Sequence, residues 1–317
     1  MKITIIGAGA MGCIYAAMLS TTNEVTLVDS YDKTVEAIRK NGVTVTDKTG
    51  AKRNYNIPVF SSNEISCNEN KSGNCVPKPA ELLIIFVKST ATDAALAGNL
   101  SLVGEDTLVL SLQNGMGNGD IIEKYVRREN ILLGTTKHNA VTLEPGVVYH
   151  SGRGMTNIGA MYKNEEGARR IAEAFRTAGI ETQYCDSVKT LIWKKLFVNL
   201  TINPITALLD TNIGFLKDNP YARQLAEALL TEAVSVANAD GESFDYSATV
   251  SDVYAVADAD STGKASMCQD ISHGRRTEID FINGSVCRLG RKYGIQTPVN
   301  DTVAAMIHAK EALVCVK

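Results

Sequence analysis

The feature that most constrains the fold is a glycine-rich turn directly after the first strand. Residues 2–6 (KITII) form a short β-rich run, Gly7-Ala8-Gly9-Ala10-Met11-Gly12 follows, and a helical pattern begins at Ile14. In such a turn the first glycine permits a tight bend, the second lets a pyrophosphate approach the backbone, and the third allows the helix to pack closely on the strand. Strand, turn and helix in this order predict a dinucleotide-binding site at residues 7–12.

An acidic residue follows the second predicted strand. That strand, Glu24-Val25-Thr26-Leu27-Val28, ends in Asp29, about 20 residues beyond the glycines, where an acid accepts hydrogen bonds from an adenosine ribose. We therefore predict that Asp29 belongs to the same cofactor site as the glycine-rich turn.

Polar residues follow two further apolar runs. Residues 82–87 are all apolar and residues 108–112 are apolar apart from Ser111, as expected for parallel strands covered on both faces. The first runs into Lys88 and the second into the stretch 113–117 (QNGMG). Ligands of an open α/β sheet bind at the carboxyl ends of its strands, so Lys88 and Asn114 are predicted near the cofactor. A solvated lysine and a simple Asn-Gly turn are the alternative interpretations.

The pattern then changes to β-hairpins. After Val141, turn signals at Pro145-Gly146 and at 152–154 predict antiparallel strands added to the edge of the sheet. The first part of the chain, residues 1–186, is therefore predicted to be a Rossmann-type, doubly wound dinucleotide-binding domain.

From Ser187 onward the patterns are helical. The predicted helices cover residues 187–209, 219–239, 246–258, 278–293 and 299–315. The predicted fold class is α/β, with an all-helical substrate and catalytic domain at residues 187–317 after the sheet. Dinucleotide enzymes commonly bind substrate between two such domains, which is the arrangement we expect.

The composition limits the class of partner. The 317 residues are 44% hydrophobic and 21% charged, as in ordinary globular proteins. A formal net charge of −3 gives no general attraction to nucleic acid or anionic membranes, so a small-molecule partner is expected. The start of the chain resembles no secretory leader, and no apolar run reaches the ~18 residues of a membrane helix, which predicts a cytoplasmic protein.

Cysteine and histidine spacing predicts no metal site. The seven cysteines are an odd number without a C-x-x-C pair, which favours reduced thiols over disulfides or zinc. Cys67 and Cys75 flank NENKSGN, whose simplest interpretation is a solvated loop. The histidines accompany no nucleophile motif or metal-ligand spacing and are interpreted as incidental; they are His138, His150, His273 and His308.

The stretch WKKLFVNLTINP, residues 193–204, carries a polar stripe. In a helix, Lys195, Asn199 and Asn203 recur at i, i+4 and i+8 and share one side, whereas Lys194 lies about 100° round the helix. Each unpaired polar group on a buried helix would cost about 1–3 kcal/mol, so polar partners are expected. Those partners are either a substrate or neighbouring helices that accept amide hydrogen bonds.

Pro204 falls inside the same predicted helix. Its ring displaces the carbonyl four residues back, which is that of Leu200, so we expect a bend. The bend would lie beside the polar stripe.

A second polar concentration surrounds Glu278. The stretch 277–283 is predicted to be helical, with Ile279 and Ile282 inward and with Glu278 and Asp280 on different faces. A helix cap built from the threonine and the glutamate is the alternative interpretation.

Eight short blocks occur together in a fixed order. They are GAGAMG at 7–12, VK at 87–88, QNGMG at 113–117, GTT at 134–136, WKKLFVNLTINP at 193–204, SMCQD at 266–270, GRRTEIDFING at 274–284 and GIQTP at 294–298. Over nearly the whole chain this set resembles the ketopantoate reductase (2-dehydropantoate 2-reductase) family. The resemblance implies a Rossmann domain joined to a helical domain, and hydride transfer from NAD(P)H to the ketone of 2-dehydropantoate, giving (R)-pantoate.

The resemblance also implies residue roles. Lys195 would be the general acid that protonates the ketone oxygen, and Glu278 would bind the substrate hydroxyl and help orient the lysine. The implied substrate-binding residues are Asn199, Asn203, Ser266 and Asn114. The implied cofactor-binding residues are Gly7, Ala8, Gly9, Ala10, Met11, Gly12, Asp29, Lys88 and Asn114.

Two positions depart from the family's pattern. Ile213 stands where a further asparagine is expected, although Asn212 is beside it, and Gly263 replaces another polar contact. An NAD-dependent D-2-hydroxyacid dehydrogenase for other branched or aromatic 2-keto acids is therefore the alternative. A non-catalytic dinucleotide sensor gives no reason for the lysine, the asparagines and the acid together. A β-hydroxyacid dehydrogenase places its lysine in a different motif. The resemblance is also compatible with a homodimer.

Asp29 separates this chain from the family's usual cofactor. Family members typically use NADPH and carry a basic residue after the second strand, whereas here Ser30, Tyr31 and Asp32 come before Lys33. A carboxylate facing a 2′-phosphate costs about 1–3 kcal/mol, so the sequence favours NADH.

Overall fold

The computed structural model describes residues 1–66 and 77–315, so Cys67 and Cys75 lie outside the described residues. The described chain is a mixed α/β protein whose strands all end by Tyr184. The strands are β1 (Lys2–Ile6), β2 (Glu24–Asp29), β3 (Val43–Asp47), β4 (Lys52–Tyr55), β5 (Val59–Ser61), β6 (Leu82–Ile85), β7 (Leu108–Ser111), β8 (Ile131–Thr136), β9 (Asn139–Glu144), β10 (Val147–Gly152), β11 (Thr156–Ala160) and β12 (Thr182–Tyr184).

The larger sheet is doubly wound, as the sequence predicts. Its strand order is β12-β11-β8-β7-β6-β1-β2-β5. Every neighbouring pair is parallel except β8 and β11. The chain leaves β1 towards β2 on one side and returns with β6 on the other side of β1. Ligands of such sheets bind at the carboxyl ends of the strands where the order reverses, which here are the ends of β1 and β6.

Helices precede or follow most strands of this part. They are α1 (Ala10–Leu19), α2 (Asp32–Asn41), α3 (Ser62–Ser66), α4 (Thr92–Ala97), α5 (Asn118–Ile122) and α6 (Glu165–Thr177), with short 3-10 turns at Ser89–Ala91, Leu100–Leu102 and Arg128–Asn130. Ile3 and Ile5 of β1 belong to the apolar cluster that includes Ile14 of α1, whereas Ile6 belongs to a second cluster with Leu83. The strand is thus buried on both faces, which explains its uninterrupted apolar sequence.

The predicted hairpin is present, but its predicted place is wrong. β9 and β10 are antiparallel across Pro145-Gly146, yet they form a separate four-stranded sheet of order β4-β3-β10-β9. The reason is that β10 pairs in parallel with β3, a strand for which the sequence analysis had no expectation. Only β11 joins the larger sheet as an antiparallel strand, through β8.

The second half is helical throughout its described residues. Its helices are α7 (Val188–Leu209), α8 (Phe215–Asp218), α9 (Pro220–Ala239), α10 (Tyr246–Ala259), α11 (Ser266–Ser272), α12 (Asn283–Tyr293) and α13 (Pro298–Val314), with a 3-10 turn at Ile279–Phe281. Four of the five predicted helices are confirmed within a residue or two. The short helices α8 and α11 were not predicted.

The helix predicted at residues 278–293 begins later than predicted. A 3-10 turn covers Ile279–Phe281, Ile282 has φ −102° and ψ −96°, and α12 starts only at Asn283. Contacts from remote residues hold the break: the amide of Met116 donates to the Phe281 carbonyl at 2.8 Å. Ile279 and Ile282 are nevertheless buried, as predicted, because the turn points them to the same core as a helix would.

The described chain divides into two compact units. One comprises residues 1–113 and 118–189, and the other residues 114–117 and 190–317. The second unit thus includes the short loop after β7. The functional boundary expected after residue 186 remains a prediction. No helix within residues 1–66 and 77–315 combines the length and the apolar character needed to cross a membrane.

Candidate active site

The glycine-rich loop follows β1 and leads into α1. Gly7 has φ +106°, and an added Cβ there would lie 2.7 Å from the Val87 nitrogen. A Cβ on Gly12 would collide with the Gly7 carbonyl, whereas no described heavy atom lies within 4 Å of the corresponding position on Gly9. Two glycines are therefore required by the protein's own packing, and the space at the third is open to a ligand. Ala10 and Met11 form the first turn of α1, whose amides attract anions.

Asp29 is tied to this loop. Its carboxylate accepts a hydrogen bond from the Ala8 amide at 2.6 Å and another from the Tyr31 amide at 2.8 Å. Both bonds fix the half-buried carboxylate at the carboxyl end of β2, beside the turn. The loop, the start of α1 and this acid have the donor and acceptor types that a pyrophosphate and a ribose require.

A network of side-chain hydrogen bonds, centred on Gln113, lies at the carboxyl ends of β6 and β7. The side-chain amide of Gln113 donates to the Val87 carbonyl and to the Thr92 hydroxyl, both at 2.8 Å, and its oxygen accepts from Ser111 at 2.9 Å. Lys88 is exposed and immediately precedes the 3-10 turn that follows β6. Gln113 is not among the predicted site residues, although its place before Asn114 at a strand end is a usable signal.

The loop after Gln113 is part of the helical unit. The amide group of Asn114 donates to the Glu278 carboxylate at 3.4 Å, across 164 residues of sequence. The Met116 backbone contact to Phe281 fixes the same loop on the same segment. The structure therefore places Asn114 beside Glu278.

The polar stripe lies on α7 as the spacing predicts. Lys195 and Asn199 are half-buried and Asn203 is buried, whereas Lys194 is exposed. Trp193 and Leu196, on either side of the two lysines, are core residues of the helical unit. Only Lys195 of the two lysines is therefore turned away from solvent.

The charge state of Lys195 is the most unusual feature of the site. Burial lowers the pKa of its ammonium to about 8, and the Glu278 carboxylate opposes part of that fall. Glu278 itself is 7% exposed. An amine with a pKa near neutrality is well suited to proton transfer, because both of its protonation states are accessible.

The segment that carries Glu278 is anchored from α13. Glu311 accepts hydrogen bonds from the amide of Thr277 at 2.7 Å and from its hydroxyl at 2.6 Å. His308 bridges Glu311, at 3.1 Å, and Asp280, at 2.9 Å. Glu278 is thus held on both sides by residues from one helix, and no sequence motif indicated this anchor.

Ser266 and the two unusual positions lie in one part of the helical unit. Ser266 is exposed and begins α11. The amide of Ile213 donates to the Gly263 carbonyl at 3.0 Å, so the two departures from the family pattern are neighbours in space. Ile213 is buried and Asn212 is exposed.

The histidines His138 and His150 form a buried pair with ring nitrogens 2.9 Å apart. Burial, together with the neighbouring His150, lowers the pKa of His138 to about 4. Across the described part of the chain, no three His, Cys, Asp or Glu side chains are grouped so as to hold a metal ion.

Comparison with known families decides the classification. The family model described as ketopantoate reductase PanE/ApbA matches residues 3–163, and its C-terminal counterpart matches residues 187–311. The chain belongs to the ketopantoate reductase family. The 2-dehydropantoate 2-reductase of Lactococcus lactis is 34% identical and covers 100% of both chains. That of Pyrococcus horikoshii is 35% identical and covers 99% of this chain and 98% of its own.

Two solved structures with different names are similar to this chain over its full length. D-mandelate dehydrogenase, in a ternary structure with NADH and anilino(oxo)acetate, has a TM-score of 0.91 at 32% identity, with full coverage of both chains. A 2-dehydropantoate 2-reductase from Enterococcus faecalis, itself assigned provisionally, has a TM-score of 0.78 at 34% identity, again with full coverage. Both proteins therefore share the fold of this chain.

Proposed function

We propose that the protein is a nicotinamide-dependent reductase that converts 2-dehydropantoate to (R)-pantoate. The observation that carries the proposal is the half-buried Lys195, whose pKa of about 8 suits a general acid, beside Glu278 and Asn114. The family relationship and the names of the full-length relatives support the same reaction.

Residues of the glycine-rich loop and Asp29 would hold the dinucleotide, which when bound supplies the hydride. Lys195, as an ammonium ion, polarises the ketone and donates a proton to its oxygen, becoming a neutral amine. The ketone carbon gains the hydride and its oxygen gains the proton, so the product is the 2-hydroxy acid. Solvent then returns the proton to the amine.

The remaining polar side chains bind the substrate. Glu278 accepts a hydrogen bond from the substrate hydroxyl and keeps the ammonium oriented, while Asn199 and Asn203 bind hydroxyl or carboxylate groups. Ser266 contributes at the substrate carboxylate, and Asn114 orients Glu278 and the nicotinamide side of the site. Lys88 contacts the cofactor.

A D-2-hydroxyacid dehydrogenase acting on aromatic or other branched 2-keto acids is the second candidate. It is favoured by the structural likeness to D-mandelate dehydrogenase and by the adjacent Ile213 and Gly263, which remove two polar contacts from one region. An apolar surface there would suit an aromatic or aliphatic side chain better than a hydroxyl group.

The two candidates are separated by initial rates. Under the first, kcat/KM for 2-dehydropantoate exceeds that for phenylglyoxylate and for branched 2-keto acids without a hydroxyl group. A higher kcat/KM for phenylglyoxylate would establish the second candidate. No turnover of any 2-keto acid with NADH or NADPH would refute both.

We further propose that NADH is preferred over the family's usual NADPH. Asp29 is fixed beside the loop by two backbone amides, so it cannot easily turn away from a 2′-phosphate. We expect native kcat/KM to be higher with NADH, and Asp29→Ala to reduce the NADH-to-NADPH ratio by about tenfold. An unchanged ratio would show that this residue does not select the cofactor.

A homodimer in the cytoplasm is the proposed working form. A dimeric ketopantoate reductase from Staphylococcus aureus shares the fold, with a TM-score of 0.80 at 24% identity. The five described cysteines are free thiols, which suits a reducing compartment. Light scattering of the purified protein tests the dimer by its mass.

A further inference from the structure

Pro204 leaves one backbone carbonyl of α7 without its usual donor. In an α-helix the carbonyl of Leu200 accepts from the amide of residue 204, but proline has no N–H. Leu200 is fully buried, so water does not replace the missing donor. The side-chain amide nitrogen of Asn283 lies 3.0 Å from this carbonyl oxygen. A residue 83 positions later thus supplies the hydrogen bond that the proline removes.

The hydrogen-bond pattern fixes the orientation of Asn283. Its nitrogen donates to Leu200 and also to the side-chain oxygen of Asn300, at 3.0 Å. Its own side-chain oxygen is buried and has no partner among the described residues. A flipped amide would place that oxygen against two acceptors, so Asn283 acts here only as a donor.

The bond to Leu200 is the end of a longer buried chain. Asn300 on α13 donates to the Leu229 carbonyl at 3.2 Å and to the Glu232 carboxylate at 2.7 Å, both on α9. Asn283 and Asn300 are each 0% exposed. These hydrogen bonds connect α7, at its proline, to α12, α13 and α9. The buried network therefore holds α7 against three other helices.

The held point lies beside the polar stripe, on the same stretch of α7. Leu200 is between Asn199 and Asn203 in sequence and five residues after Lys195. Asn283, in turn, begins α12 immediately after the segment that carries Glu278. The hydrogen bond from Asn283 therefore joins α7, which carries the proposed acid, to the start of α12, five residues after Glu278.

We propose that Asn283 is a positioning residue: by replacing the hydrogen bond lost at Pro204, it holds Lys195 in register with Glu278. The catalytic part of this inference rests on the proposed function of Lys195. The structural part does not, because it concerns only the carbonyl of Leu200 and its donor.

Four proteins test the proposal: native, Asn283→Ala, Pro204→Ala and the double variant. Alanine at position 204 restores an N–H that can bond to Leu200 within the helix. The matched control is Asn99→Ala. Asn99 is also buried, its nitrogen donates to the Ala95 carbonyl at 2.8 Å, and its oxygen has no partner among the described residues.

Thermal unfolding is the first measurement. We expect Asn283→Ala to lower Tm by roughly 5 °C, and Pro204→Ala to recover at least about half of that loss in the double variant. Pro204→Ala should not rescue Asn99→Ala. If Asn283→Ala does not fold, the yield of folded protein replaces Tm as the measurement. The double variant should then fold although the single variant does not. If Asn283→Ala lowers Tm by the same amount in the native protein and in the Pro204→Ala variant, Asn283 is not the replacement donor.

Steady-state kinetics on a 2-keto acid is the second measurement. We expect Asn283→Ala to lower kcat about tenfold or more, with KM for the dinucleotide nearly unchanged, and to move the pH midpoint of kcat. If Asn283→Ala has the same kcat and the same pH midpoint as Asn99→Ala, the role of Asn283 is purely structural. Turnover retained by Lys195→Ala would instead refute the proposed function and leave the Tm comparison valid.

Discussion

The glycine-rich loop and the lysine site are built in opposite ways. The loop is contiguous in sequence and presents backbone amides, one of which donates to Asp29, 21 residues from Ala8. The lysine site consists of side chains, and Asn114 and Glu278 meet across 164 residues. A site of the first kind is disturbed when an atom is added, whereas a site of the second kind is disturbed when a functional group is removed.

The largest effect is expected from Lys195→Ala. Removing the proposed general acid should lower kcat/KM by about 10²–10⁴-fold, because that is the usual contribution of a positioned acid. Lys194→Ala is the control, since Lys194 is exposed and should change kcat/KM very little. Dinucleotide binding and Tm of both variants should remain near native. A loss below about tenfold for Lys195→Ala would contradict its role as the acid.

The pH dependence of the reduction rate is a second test of Lys195 as the proton donor. Burial lowers the pKa of Lys195 to about 8, and in the proposed mechanism the protonated form donates, so the rate of reduction should fall as pH rises through about 8. Above the midpoint the fall approaches tenfold per pH unit. The oxidation of the hydroxy acid should show the opposite trend. Residual activity of Lys195→Ala serves as the control and should have no midpoint near pH 8.

The loop is tested by adding one carbon. Gly9→Ala places a Cβ where no described protein atom lies within 4 Å, so Tm should be native. The same carbon should raise the Kd for NADH by about tenfold, because in the proposed cofactor site it occupies the space of the pyrophosphate. Gly7→Ala should instead lower Tm, since φ is +106° and the backbone of Val87 is too close. Native Kd for Gly9→Ala, measured by fluorescence titration, would show that the pyrophosphate does not approach there.

The smallest effect concerns the anchor of the Glu278 segment. Burial alone would lower the pKa of His308, but its hydrogen bonds to Glu311 and Asp280 outweigh burial and raise it. A raised folded-state pKa means stabilisation that is complete below about pH 6.5 and is lost as pH rises through the folded pKa.

His308→Gln should therefore lower Tm more at pH 5.5 than at pH 8.5. The difference should be small, because the imidazole is half-exposed and solvent screens it. His273→Gln, at an exposed histidine, is the control. A Tm loss that is the same at both pH values would show that the charge on His308 does not contribute to the anchor.

Much of the fold follows from short-range patterns. The first strand, the glycine-rich turn and four of the helices in the second half were predicted because periodicity, turn chemistry and apolar runs act over a few residues. The pairing of β10 with β3 and the break at Ile282 were not. Both depend on a partner remote in sequence, and a single sequence does not show which remote segments meet.

The features of the candidate site also fall into those set by local sequence and those set by residues remote in sequence. The spacing of Lys195, Asn199 and Asn203 determined that they share one side of a helix, since helical geometry alone sets that relation. Only the tertiary structure decided that Lys195 is buried near a carboxylate, that its pKa is lowered, and that Asn283 bonds to the carbonyl freed by Pro204. Desolvation, charge proximity and replacement of a lost donor are properties of a residue's surroundings, and those surroundings come from distant parts of the chain.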